Sequence, residues 1–381
     1  MIYLDNASTS WPKPNTVIES MAEALRSAGG NPGRGQHGLA ERAARVVEGA
    51  RARLAALLGA RAPERVVFTL NATDALNMAI KGALAGGGHA VTTDLEHNSV
   101  LRPLAGLEAG GRIRVTRVGF DQSGYLDPRE IAGAVREETR LVAVTHASNV
   151  LGSVQPIAEI AERVRATGSY ALVLVDVAQT AGSIPIDVER DGLDLVAGSG
   201  HKGLLGPPGT GFLYVSPRAR LAPWREGGTG ADSASPFQPP EMPRLLEAGT
   251  PNVSGLAGLA AGLAYLEERG VAAVGAHEAR LADRLLDGVS ALLHVRVYGP
   301  GRDEPRVAVV ALTVEGYDPA ELAAVLDSSF GIACRAGLHC APRCHEQLGT
   351  APAGTIRLSP GPFTSEDEID AALDALGELS V

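Results

Sequence analysis

Short apolar runs that end in polar residues recur along the first half of the chain. RVVFTL leads through NATD into ALNMAIKGAL, AVTTD into EHNSVLRPL, and RLVAVTHAS into QPIAEIAERVRATG. ALVLVDVAQ and LDLVAGSG repeat the apolar-then-polar pattern. A β-branched run, a polar turn and a stretch of helical spacing read as strand, turn and helix. Their alternation predicts an α/β fold around a mostly parallel sheet, in which ligands bind beyond the carboxyl ends of the strands. From Pro223 to Pro251 the periodicity is lost in a long irregular excursion. Beyond it VSGLAGLAAGLAYLEERG reads as a helix. Strands at HVRVYG and RVAVVALTVEG, with helices at PAELAAVLDSSF and SEDEIDAALDALGEL, predict a smaller α+β unit.

The composition narrows the function classes. With 381 residues, 45% of them hydrophobic, the chain can bury a sizeable core. A net charge of -10 argues against a nucleic-acid binder and against a basic membrane-surface face, leaving small molecules and proteins as partners. The 3 cysteines all fall between Cys334 and Cys344, which is no disulfide framework. No apolar run approaches the roughly 20 residues of a membrane helix, and MIYLDNASTSWPKP has no basic-then-apolar leader pattern. A cytoplasmic protein is expected.

Lysine occurs only at Lys13, Lys81 and Lys202. Lys202 follows a strand in LDLVAGSGHKGLLGPPGTG, where flanking glycines leave room for a ligand against the backbone. This position suits a Schiff-base lysine. Asp176 closes the apolar ALVLVD, where a carboxylate needs a cation or donor to offset desolvation. One crossover and one further strand fit between the two, so both can reach one pocket. A pyridoxal phosphate ring needs such a pair, an acid at its nitrogen and a lysine at its aldehyde. Ala72 and Thr73 open a helix whose free N–H groups favour a phosphate, Ser199 and His201 flank the lysine as further donors, and His97 offers a flat ring for stacking. Near the C-terminus, GIACRAGLHCAPRCHEQLG gathers Cys334, Arg335, His339, Cys340, Cys344 and His345. The spacing suits a zinc turn poorly, whereas a loop cysteine beside Arg335, Arg343 and His339 has its thiolate favoured. Cys340 is the most loop-like of the three, and Cys334 reads as a small core residue.

These residues lie within a longer series of segments: YLDNASTSWPKP, NATDALN, EHNSV, HASNVLG, VDVAQ, SGHKGLLGPPGTGFLYV, EAGTPN, RAGLHCAP and TIRLS. In content and order the series resembles the class V aminotransferases of pyridoxal phosphate (PLP) fold type I, within them the group II cysteine desulfurase and selenocysteine lyase branch. Where many of that group carry two adjacent histidines before the cysteine, this chain has Leu338 and His339. The resemblance implies a large domain, 15–270, with a mostly parallel seven-stranded sheet, and a small α+β domain from 1–14 and 271–381. It implies that Lys202 holds the cofactor, Asp176 pairs with the pyridine nitrogen, Gln179 bonds the phenolic oxygen and His97 stacks on the ring. Ala72, Thr73, Ser199 and His201 would bind the phosphate, joined by Thr250 from a second subunit of a homodimer. Asn149, Arg335 and Arg357 would hold the substrate. Cys340 would take sulfur from L-cysteine as a persulfide, releasing L-alanine and passing the sulfur to a protein or small-molecule acceptor. The alternative is a relative such as a selenocysteine lyase, transaminase or epimerase, without persulfide chemistry.

Overall fold

The computed structural model describes residues 1–33, 35–230 and 234–379. The chain opens with a two-residue strand, β1 (Ile2–Tyr3). Seven strands then build the central sheet: β2 (Val66–Thr69), β3 (Gly88–Thr93), β4 (Ile113–Val118), β5 (Thr139–Thr145), β6 (Leu172–Asp176), β7 (Leu195–Ser199) and β8 (Gly211–Val215). Their order is β2-β8-β7-β6-β5-β3-β4. Pairing is parallel from β4 through β3, β5 and β6 to β7, and antiparallel where β8 lies between β7 and β2. The expected mostly parallel sheet is therefore present.

Period-2 alternation gives the sheet a core on each face. Val66, Phe68, Val142, Val144, Val173 and Val175 join one cluster, whereas Val67, Leu141, Ala143, Leu172 and Leu174 join the other. Burial on both faces explains why LVLVD and GFLYV are nearly continuous apolar runs. The excursion from Pro223 to Pro251 carries no helix or strand among its described residues.

Four strands form a second, antiparallel sheet in the order β12-β13-β10-β9, comprising β9 (Val295–Tyr298), β10 (Val310–Val314), β12 (Arg335–Gly337) and β13 (Thr355–Leu358). Just before β12, β11 (Ile332–Ala333) pairs in parallel with β1. Helices Val271–Ser290, Pro319–Phe330 and Glu366–Glu378 supply Leu281, Leu326 and Leu376 to the core of this unit. Leu4 lies fully buried in the same core, and Asp5 bridges to Ser359. The first residues are thus bound to the last third of the chain, which carries Asp5, Ala7 and Ser8 to the edge of the central sheet.

Candidate active site

The sheet delivers its chemistry at one edge. Strand order reverses between β3 and β5, and the loops that leave the carboxyl ends of β2, β3, β5, β6 and β7 converge there. Asp176 is the last residue of β6 and Ser199 the last of β7, followed by His201 and Lys202. Beyond β2, Asn71 caps the helix Ala72–Ala83, accepting from Asp74 N at 2.9 Å. This cap starts the helix at Ala72, so the turn predicted over NATD is shorter than its sequence suggests. Gly211 permits the close approach, since a Cβ there would stand 2.5 Å from Asn71 Cα. Beyond β3, His97 caps the helix Asn98–Ala109 by accepting from Ser99 N at 3.0 Å.

A cavity of about 260 Å³ lies among these loops. Ala72, Thr73, His97, Asn149, Asp176, Gln179, Ser199, His201, Lys202, Arg335 and Arg357 all line it. Ala72 N donates to Ser199 Oγ at 3.2 Å, leaving the serine hydroxyl free to donate into the cavity. Thr73 Oγ1 and Ser99 Oγ are 2.7 Å apart, and the same serine is 2.9 Å from His97 Nδ1. Because His97 Nδ1 accepts from a backbone N–H, the ring proton belongs on Nε2. Ser99, to which the EHNSV segment assigns no role, thereby sets both a phosphate candidate and the ring.

Burial dominates the electrostatics. It lowers Lys202 to about 8, opposed by Asp176 and reinforced by Arg357 and Arg335. Asp176 is raised by burial, against the Ala178 N–H and Lys202, and accepts from Ala178 N at 2.9 Å. Burial lowers His97 and His201 to about 4, with Lys202 adding to the effect on both, so both rings are neutral near pH 7. His201 Nδ1 is buried without a hydrogen-bond partner among the described residues.

Glu96, which opens the EHNSV segment without a role assigned to it there, is fully enclosed beside the site. Oε1 accepts from Thr93 Oγ1 at 2.7 Å and Thr145 N at 3.0 Å, while Oε2 is buried without a partner. Burial, aided by Asp176, raises it to about 8. An acid whose folded pKa is raised stays protonated while its unfolded counterpart ionises, so its contribution to stability is full below about 4.5 and lost as pH rises toward 8. Glu96→Gln removes this slope. The variant should melt higher than the parent at pH 8.5, by about 2 °C or more, and match it near pH 5. Thermal unfolding followed by circular dichroism across pH measures this; parallel curves for the two proteins would show that Glu96 is ionised in the fold.

Arg357 and Arg335 reach the cavity from β13 and β12. Arg357 is buried, donating Nη1 to Asn149 O at 3.0 Å and Nη2 to Asp5 Oδ1 at 2.8 Å and Ser8 Oγ at 2.7 Å. Its Nε has no hydrogen-bond partner among the described residues. Asn149 Nδ2 donates to His339 O at 2.6 Å. Asp5 and Ser8 fix the guanidinium from the opposite end of the sequence, which no local pattern could reveal.

Cys340 stands at the mouth rather than in the wall of the cavity. His339 and Cys340 adopt φ of 47° and 60°, the left-handed region that non-glycine residues enter at a cost. Asn149 on His339 O and Asn98 N on Cys340 O, at 2.7 Å, hold the turn, and His339 Nε2 lies 3.0 Å from Thr355 O. Arg335 Nη2 donates to Cys340 Sγ at 3.5 Å. The other thiols differ. Cys344 is fully buried and Cys334 packs against the core of the second unit, and burial raises each to about 12. Among the described residues no group of three His, Cys, Asp or Glu could hold a metal ion.

Thr250 lies apart from Lys202 in its own chain, its Oγ1 accepting from Asn31 Nδ2 at 3.2 Å beside a separate cavity of about 610 Å³. Lys13 Nζ donates to Ser10 Oγ at 2.6 Å and His201 O at 2.7 Å, near Lys202 but outside the cavity wall. Lys81 is exposed, 5.4 Å from the Trp224 ring centroid.

A mostly parallel seven-stranded sheet with a half-buried lysine and a buried carboxylate lining one cavity beyond the carboxyl ends of its strands is the fold type I of PLP enzymes. The family model for Aminotransferase class-V matches residues 2–372, and the chain belongs to this family. It is 36% identical over 386 residues to a probable cysteine desulfurase of Methanothermobacter thermautotrophicus, covering 100% of this chain and 94% of that protein. With a cysteine desulfurase of Haloferax volcanii it shares 33% identity over 389 residues, covering 99% and 88% of the two chains. The apo structure of a cysteine desulfurase from Thermococcus onnurineus superposes with a TM-score of 0.92 at 34% identity, over 99% of this chain and 94% of that one.

Proposed function

We propose that the protein is a PLP-dependent cysteine desulfurase that converts L-cysteine to L-alanine and takes the sulfur as a persulfide on Cys340. The observation that carries this reading is Arg335, which lines the Lys202–Asp176 cavity and donates to the Cys340 thiol outside it. The residues fit the cofactor. Thr73 and Ser199 hydroxyls, the unpartnered His201 Nδ1 and the N-terminus of helix Ala72–Ala83 suit a phosphate; Asp176 suits a protonated ring nitrogen, Gln179 a phenolic oxygen and His97 the ring face. Lys202 would hold the cofactor covalently. When bound, the cofactor supplies an electron sink for the carbanion left by loss of the substrate α-proton.

The remaining steps belong to the chain. Arg357, with a free buried Nε, and Asn149 orient the substrate carboxylate, and Arg335 stands between substrate and thiol. Lys202, lowered to about 8, has a neutral fraction at physiological pH and moves the α-proton. The Cys340 thiolate attacks the substrate sulfur: the substrate C–S bond breaks, an S–S bond forms, and the carbon takes a proton to leave as alanine. No external oxidant is required. A transaminase or epimerase would have no use for a thiol at this place. Sulfide release from L-cysteine in the presence of a reductant, with alanine in equal amount, tests the reading; pyruvate or D-cysteine as product would replace it.

We further propose a cytoplasmic homodimer that divides into a large domain, 15–270, and a small one, 1–14 with 271–381. Among the described residues no helix is long and apolar enough to cross a membrane. The distance of Thr250 from its own Lys202 cavity supports the view that it serves the partner's phosphate. Lys202→Ala co-assembled with Thr250→Ala should form hybrids with one site damaged twice and one intact. Such mixtures should recover at least about tenfold over either parent, and an unrecovered mixture with demonstrated hybrids would place Thr250 outside the site.

A further inference from the structure

The Cys340 thiol opens onto a groove of about 780 Å³ that runs along the helix Asn98–Ala109. His97 and Cys340 stand at its start, where Asn98 N ties the thiol loop to the first turn of the helix. Pro103, Gly106 and Leu107 line its length, and Arg112 closes its far end. Lys81 and Arg102 border it as well, so that, among the described residues, three exposed cations and no carboxylate line the groove. In a chain of net charge -10 this is a local reversal of sign. Arg102 and Arg112 have no ion-pair partner among the described residues. The neighbouring acids are turned elsewhere, Glu108 to Arg117 at 3.0 Å and Asp94 to Arg343 at 3.2 Å. The helix beneath rises about 18 Å over its 12 residues. That length seats five or six residues of extended polypeptide and far exceeds a small thiol.

We propose that this groove docks the sulfur acceptor, an acidic polypeptide segment that presents a cysteine thiol to Cys340. The proposal rests on the desulfurase reading for its chemistry. The acceptor thiolate attacks the outer sulfur of the Cys340 persulfide, a new S–S bond forms on the acceptor, the old one breaks, and Cys340 leaves as thiolate. The acceptor's proton passes to solvent, and nothing is oxidised or reduced overall. The cations steer the segment inward, an attraction that salt screens.

Binding and transfer are measured separately on the PLP-loaded enzyme. The probe is a fluorescent hexapeptide rich in Asp and Glu with one terminal cysteine, compared with a Lys-rich version and with mercaptosuccinate as a small anionic thiol. Fluorescence anisotropy reads binding of a Cys-to-Ser form of each peptide, and mass spectrometry reads persulfide transfer to the cysteine forms. The acidic peptide should bind and accept sulfur at least about tenfold better than the basic one, with the advantage shrinking at high salt. Arg102→Glu combined with Arg112→Glu should abolish that preference while the first persulfide still forms on Cys340. Equal behaviour of the two peptides, an unchanged preference in the double variant, or mercaptosuccinate accepting sulfur as fast as the acidic peptide would each overturn the groove assignment. If the acidic peptide bound selectively but no persulfide formed, the docking site would stand and the desulfurase reading would fail.

Discussion

Lys202→Ala is expected to lose covalently held cofactor and to reduce turnover by roughly four orders of magnitude or more, with the fold intact. The expectation follows from how few amines the chain offers. Among the described residues Lys202 is the one lysine that lines the cavity with Asp176, and burial brings it to about 8, where a neutral amine is available for covalent chemistry. Lys13 is nearby and burial lowers it to about 8 as well, but its amine is held by Ser10 Oγ and His201 O outside the cavity wall, and Lys81 lies on the surface beside Trp224. No substitute can move the α-proton from the same place. The Thr73, Ser199 and His201 groups proposed to hold the phosphate are untouched, so the variant should keep cofactor that dialysis removes, whereas the parent should not release it so readily. Borohydride reduction followed by peptide mapping measures the attachment. A label on Lys13 would mean that the cavity has been read from the wrong lysine. Retained turnover would remove Lys202 from the chemistry altogether.

The parts of this site that were legible in the sequence share a physical cause. Asp176, Ser199 and Lys202 end or follow strands buried on both faces, and such strands are unbroken apolar runs whose polar termination is easy to see. The capped helix after β2 was legible for the same reason. Helix Gly38–Leu57 was not, because its inward positions are mostly alanines and even include Arg51, whose charge is met by Glu247 at 2.7 Å. Periodic burial without hydrophobic contrast leaves little trace. Strand β4 carries arginines at Arg114 and Arg117 along the sheet edge, which hid it in the same way. Ser99, Ser8, Asp5 and Glu96 went unseen because their importance lies in what tertiary folding brings to them. Asp5 meets Arg357 only when β1 joins β11, and Glu96 becomes an uncharged acid only once folding has buried it, against the Thr93 hydroxyl and the Thr145 N–H, which favour its ionised form.

The Cys340 turn shows the same dependence and carries the second large expectation. Nothing in RAGLHCAP requires two successive residues at positive φ; the bonds from Asn149 and Asn98 impose it. The outcome is a half-buried thiol that Arg335 touches, in a chain whose other two thiols burial keeps protonated. Cys340→Ser should therefore bind cofactor and L-cysteine as the parent does, since Lys202, Asp176 and Arg357 are untouched, yet release sulfur more slowly by roughly three orders of magnitude. A hydroxyl does not replace the thiolate as a nucleophile toward sulfur. Cys344→Ser and Cys334→Ser should keep a full first turnover, because neither thiol is ionised or placed to receive substrate sulfur. Mass spectrometry of each variant after one equivalent of L-cysteine locates the added sulfur. Finding it on Cys344, with Cys340→Ser still active, would require the loop to open far enough to expose a fully buried side chain and would sink the assignment of the nucleophile. Finding it on Cys340 alone makes the left-handed turn a working part: the strained backbone holds the acceptor sulfur at the cavity mouth, where both substrate and groove can reach it.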